Sequence, residues 1–217
     1  MGYQYDFSVV LKSAWFEAVL MTLTYAVGTI VGGLVIGVVC GVALLAPYRW
    51  ITLPINAYVQ FFRCTPLLIQ IVWFFYALPI VINFNLPAWA AAGLGLTLYM
   101  GSFCAEIFRA GVMSIDKGQW QAARALGMTY MQLMRRIILP QATRRMVPPF
   151  VNQSVLQLKN TSLLYVVAVP DIMYVSSQIT STTYRPLEVY TFAALLYFAL
   201  LYPLTRLARR LEARVDR

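Results

Sequence analysis

Four consecutive polar residues, Lys159-Asn160-Thr161-Ser162, stand inside the otherwise apolar run VLQLKNTSLLYVVAV. An ammonium flanked by an amide and two hydroxyls is equipment for holding a carboxylate, with charge for affinity and hydrogen bonds for orientation. A Lys or Arg at the middle of a bilayer costs at least about 2.5 kcal/mol, so Lys159 requires a reason. Two readings stand: it meets a substrate carboxylate, or it snorkels to the outer headgroups. Thr65 joins this group because it precedes Pro66 in FFRCTPLL, where the missing N–H breaks an apolar helix and frees backbone groups. Arg63 is read first as structural. Glu106 and Arg109, spaced i and i+3, are read as a structural ion pair; the alternative is that Glu106 receives a substrate ammonium.

None of these groups forms a catalytic set. The chain has no histidine, which removes the commonest general base and metal ligand. Cys40, Cys64 and Cys104 are scattered singly through apolar sequence in no zinc-binding spacing. No metal site is expected, and no G-x-x-x-x-G-K-[ST] loop is present to cradle phosphates. An intramembrane enzyme is disfavoured for want of paired acids or an activated nucleophile, and a passive channel stays as a lesser alternative.

The elements that hold these groups are membrane spans. Of 217 residues, 60% are hydrophobic and only 12% are charged, against about 25% charged in soluble domains. Five apolar stretches are long enough to cross a bilayer: about 15–46, 53–82 (broken near RCTP), 87–112, 146–169 and 186–207. The expected fold is therefore an all-α integral membrane protein forming one domain, 1–217. Lys117, Arg124, Arg135, Arg136, Arg144 and Arg145 lie between the third and fourth spans; Arg206, Arg209, Arg210, Arg214 and Arg217 follow the fifth, and Arg49 follows the first. Only Lys12 and Arg185 fall on the other side, so the N-terminus is expected outside and the C-terminus in the cytoplasm. Charges that border spans orient a membrane protein; they make no aromatic-interleaved stripe for nucleic acid, which is excluded as a partner. Tyr3, Tyr48, Trp50, Trp89 and Tyr202 suit interfacial anchoring. The ladders Gly28–Gly32 and Gly33–Gly37–Gly41 permit close helix packing, within the chain or against another.

The polar segment 113–145 is the largest cytoplasmic piece. Asp116 is placed to cap a helix, with Gln119 completing a capping-box pattern. Ala122, Ala123 and Ala125 favour that helix, and Gly127 suits its left-handed closing residue. Thr129 and Gln132 offer a second box, for a helix expected to end before Pro140. A short, small-faced helix with Trp120 as anchor has the shape of a plug for another protein's groove.

The spacing Gln121-Ala122-Ala123, three residues, Gly127, nine residues, Ile137-x-Leu139-Pro140 resembles the E-A-A…G…I-x-L-P signature of permease subunits of bacterial ABC importers. RCTPLLIQIVWFFY, AEIFRAGVMSIDKGQWQAARALGM and LKNTSLLYVVAVPDI, in that order, are similar to its polar amino acid uptake branch. Gln121 departs from the usual Glu and forgoes a charge-assisted bond. The resemblance implies a short coupling helix between spans three and four, with Asp116, Trp120, Gln121, Ala122, Ala123 and Gly127 serving contact with a cytoplasmic ATPase dimer. That dimer, not this chain, would bind ATP and Mg2+. It also implies a second permease subunit (identical or similar), an extracytoplasmic amino-acid-binding protein, an amino acid substrate, and residence in lipid at the bacterial inner membrane. Asp171, Arg185 and Glu188 are the charges available to the binding protein. An opine or another small carboxylate is the alternative solute.

Overall fold

A computed structural model describes residues 6–10 and 14–215; Tyr3, Lys12 and Arg217 lie outside the described residues, as does the side chain of Arg214. After a 3-10 turn at Phe7–Val10, the chain is a succession of helices, and no strand occurs among the described residues. Helix α1 spans Ala14–Ala43, α2 Arg49–Cys64, α3 Leu67–Val72, α4 Leu78–Ile82 and α5 Ala88–Met113. Then come α6 (Lys117–Ala125), α7 (Tyr130–Leu133), α8 (Leu139–Asn160), α9 (Ile172–Thr183) and α10 (Pro186–Val215).

α1, α5 and α10 are each long and apolar enough to cross a membrane, and two bent pairs raise the count to five if each is one span. This is the expected set of spans, with two changes. The second is more than nicked: α2 and the segment Leu67–Ile82 meet at 108° across Thr65-Pro66. The fourth begins earlier than the expected 146 and reaches further: its bent pair is Tyr130–Val167 with Ile172–Thr183, at 46°.

The expected stop at Pro140 is therefore corrected. A π turn at Met134–Ile138 precedes it, and the Leu139 N–H reaches back five residues to the Met134 carbonyl. Where the ladder has already shifted, the proline ring and its missing N–H fit without ending the helix. The same device recurs at Trp73–Ala77, followed by Leu78-Pro79, with the Leu78 N–H on the Trp73 carbonyl.

α1 lies along α5 on its glycine face. Gly33, Gly37 and Gly41 are buried, and a methyl on any of them would overlap Met100, Cys104 or Phe108 respectively. Gly28 faces open space. The lower ladder is thus internal packing. The opposite face of α1 presents Leu20, Val27, Val31, Val35, Val39 and Val42, all exposed. At the arginine-rich end, Phe108, Val112, Ile115, Ala123, Leu133, Ile138 and Met146 form one core. At the other end, Trp15, Ala18, Ile172, Ile179 and Val189 form another.

Candidate functional site

Helix α6 is built by local chemistry. The Asp116 carboxylate accepts from the Gly118 N–H at 2.6 Å, not from that of Gln119, so the expected capping box gives way to a single side-chain cap; the Gln119 N–H bonds the Asp116 carbonyl at 3.0 Å. At the far end Gly127 adopts φ +72°, its N–H bonds the Arg124 carbonyl at 3.0 Å, and the Met128 N–H bonds that of Ala123 at 3.1 Å. That pairing is a Schellman motif, which closes a helix with a left-handed residue. Thr129 and Gln132 form the reciprocal box that starts α7. Two rigid caps thus fix a nine-residue helix at the arginine-rich end.

Its two faces differ. Ala123 is buried in the core, and Trp120 packs against the same cluster, so these two seat α6 on its own chain. Gln121, Ala122 and Ala125 are exposed and form the outward face.

The break in the second span is also specified by side chains. In a continuous helix the Phe62 carbonyl would accept from residue 66, but Pro66 has no N–H. Gln70 supplies the missing donor: its buried amide Nε2 lies 3.0 Å from the Phe62 carbonyl, 3.1 Å from the Thr65 carbonyl and 2.6 Å from Thr65 Oγ1. Thr65 Oγ1 donates to the Phe61 carbonyl at 2.7 Å. Thr65 is therefore tied into the bend, and Gln70 is the residue that sequence reasoning missed; a lone glutamine four residues after a proline in an apolar run was the available signal.

The second polar cluster ends α8. A 3-10 segment, Thr161–Val167, follows Asn160 and closes at Ala168 in the left-handed region, φ 57°. Thr161 is buried and donates to the Leu158 carbonyl at 2.8 Å; Ser162 donates to the Lys159 carbonyl at 2.8 Å. Lys159 is exposed and Asn160 half-buried. The two breaks meet, since Leu67 and Ile71 of α3 share a core with Leu164 and Val167.

Glu106 is not part of that meeting. It sits between two guanidinium groups, Arg63 at 3.7 Å and Arg109 at 3.6 Å, and Arg63 stacks over the Phe103 ring at 5.5 Å. The i,i+3 pair was expected; the bond from α2 was not. The level is set by Gln157, whose Nε2 donates to the Leu96 carbonyl at 2.9 Å and to Thr29 Oγ1 at 3.1 Å. Glu106 lies ten residues farther along α5, which is about 15 Å nearer the arginine-rich end. The predicted carboxylate and ammonium binders thus occupy different depths.

Two of the charges expected to meet a binding protein face inward. Asp171 is buried, caps α9 through the Tyr174 N–H at 2.8 Å and receives Tyr197 OH at 3.4 Å. Glu188 is buried, accepts from the Asp6 N–H at 3.2 Å and pairs with Arg185 at 3.1 Å. Only half-buried Arg185 keeps part of its surface outside. No cluster of metal-ligating side chains occurs among the described residues.

Against known proteins, residues 33–217 match the family described as binding-protein-dependent transport system inner membrane component. A Bacillus subtilis (strain 168) chain named probable glutamine ABC transporter permease protein GlnM is 38% identical, with 94% of each chain covered. The glutamine transport system permease protein GlnP of Escherichia coli (strain K12) is 33% identical over 98% of both. Among solved structures, one described as an amino acid ABC transporter with histidines superposes with a TM-score of 0.91 at 30% identity, covering 98% of this chain and 100% of that one. The inward-facing MetNI methionine ABC transporter shares the fold, with a TM-score of 0.77 at 23% identity over 94% and 96%.

Proposed function

The chain belongs to the family of binding-protein-dependent transport system inner membrane components, and from that premise we propose that it is the membrane-spanning permease subunit of an ATP-driven importer for polar amino acids. The observation that carries the proposal is α6: a short helix, capped at both ends, seated by Ala123 and turned outward by Gln121 and Ala122. A cytoplasmic ATPase dimer docks on that face, with ATP and Mg2+ bound in the partner. The relatives named for glutamine support an amino acid as solute.

The N-terminus faces outward and the arginine-rich end faces the cytoplasm of a bacterial inner membrane. Two permease subunits enclose the path, and an extracytoplasmic binding protein delivers the amino acid. Lys159 and Asn160, at the end of α8, meet its carboxylate. Thr65, Thr161 and Ser162 hold the neighbouring backbone in shape, and Glu106 with Arg63 and Arg109 is a structural triad.

Reconstitution of the chain with its ATPase, binding protein and any second permease tests this. ATP-dependent uptake competed by glutamine-like amino acids is expected; uptake that persists without ATP would refute it. Lys159→Gln is expected to raise the KM for solute about tenfold, as loss of one charge-assisted bond would, with basal ATP hydrolysis retained.

A further inference from the structure

Where α1 ends, an apolar groove of about 510 Å³ opens between its last turn and the π turn that precedes α8. Val42, Ala46, Phe108, Met131, Met134 and Leu139 line it. We propose that this groove holds an acyl chain of an anionic phospholipid from the cytoplasmic leaflet, whose phosphate is met by Arg49 and Arg135.

Two independent features support that occupant. The first is continuity. Val42 is both a groove wall and the last member of the exposed stripe Leu20, Val27, Val31, Val35, Val39 on α1. A row of aliphatic side chains turned away from the rest of a membrane subunit contacts lipid tails, so the groove is a recess in a lipid-facing surface. Its volume lies within the ~300–1,000 Å³ of small-molecule sites, and its lining supplies no charged group.

The second feature is charge next in sequence to the lining. Arg49 is two residues beyond the lining residue Pro47, and Arg135 adjoins Met134. Both are exposed, and neither makes an ion pair among the described residues. Tyr48 and Trp50, exposed beside Arg49, are the residue types that settle at the headgroup level. Each cation near an anionic surface is worth about 1 kcal/mol, or about a fivefold change in occupancy. The groove also touches Met134 and Leu139 of the segment connecting α6 to α8, so an occupant would brace that connection.

The inference rests on the proposed orientation but not on transport, and its test needs no uptake. The full chain, alone and assembled with its ATPase and second permease, is placed in phosphatidylcholine nanodiscs. These are doped with phosphatidylglycerol or phosphatidylcholine bearing a photoreactive acyl chain, and labelled peptides are mapped. Expected is labelling of the peptides containing Val42 and Met131, stronger with the glycerol headgroup, and about fivefold weaker for each of Arg49→Gln and Arg135→Gln. Ala46→Trp, which fills the groove, should abolish it. Because the two arginine variants leave the core untouched, they keep the test valid if Ala46→Trp fails to fold. Equal labelling by both headgroups, as for bulk lipid, would overturn the proposal. So would labelling of the lone chain that disappears in the assembled transporter, since a partner protein would then be the occupant.

Discussion

Apart from its own chain neighbours, Gly127 has no heavy atom within 4 Å of where a Cβ would be, yet its φ is +72°. A side chain there meets no neighbour, so a substitution is felt only through the backbone, at about 1–2 kcal/mol for an ordinary L-residue and more for a β-branched one. Gly127→Val should reopen the Schellman closure of α6 and abolish ATP-driven uptake, while Gly127→Asn keeps most of it; both should still insert in the membrane. Uptake by reconstituted vesicles checks this, and normal transport by the valine variant would remove the turn from the mechanism. Gln70 offers a complementary case. Gln70→Leu strips the Phe62 carbonyl of the donor it needs because residue 66 is proline. A buried acceptor left without a partner costs about 1–3 kcal/mol, so the detergent-solubilised variant should melt several degrees lower. Adding Pro66→Ala supplies a backbone N–H that reaches that carbonyl once Thr65 turns from its extended conformation (φ −105°, ψ 142°) to a helical one, and the double variant, free to straighten there, should recover part of the loss. If the second change deepens the loss instead, the amide is not acting as a substitute donor.

Elements were legible in the sequence to the extent that their causes are local. The caps of α6 and α7 follow from Asp116, Gly127, Thr129 and Gln132, all within a turn of the groups they satisfy. What was not legible depends on which helix faces which. The Arg63–Glu106 bond and the Gln157–Thr29 bond each join residues far apart in the chain, and no periodicity pairs them. Pro140 was misread because its usual effect is overridden by a π turn beginning six residues earlier, which no local signal announces. The glycine ladder was legible as a packing face but not as to its partner. With the partner known to be α5, a contrast follows. Gly37→Val must displace the Cys104 side chain or the α5 backbone, and such overpacking costs about 1–3 kcal/mol or more. Gly28→Ala meets nothing within 4 Å. The first should lose the monodisperse folded peak in size-exclusion chromatography, and the second should match the parent. Equal behaviour would mean that α1 does not lie on α5 by this face.

At the scale of the molecule, the proposed docking at α6 requires a route by which a push there would reach the end of α8. Ala123 of α6, Phe108 of α5, Ile115 just beyond it, Leu133 and Ile138 ahead of α8, and Met146 within α8 share one buried cluster. Arg145 adds a polar tie, its guanidinium donating to the Ser114 carbonyl. Close-packed cores transmit displacement instead of absorbing it, so on the proposed docking α6, the end of α5 and the start of α8 are expected to move as one block. α8 in turn carries Lys159 and Asn160, and Asn152 joins it to Glu212 of α10. Driving a two-state path from 1:99 to 99:1 takes about 5.5 kcal/mol of differential bias. Enlarging Ala123, which has 1% of its surface exposed, forces a gap between α6 and this block at about 1–3 kcal/mol, a substantial fraction of that bias. Ala123→Leu should therefore leave the ATPase able to hydrolyse ATP while lowering solute imported per ATP several-fold. Ala122→Leu, on the exposed face, should act differently and weaken ATPase association itself. Hydrolysis, uptake and co-purification measured on the same assembled transporter separate the two. If both variants lost the ATPase equally, α6 would be a docking surface alone and the shared core would carry no motion.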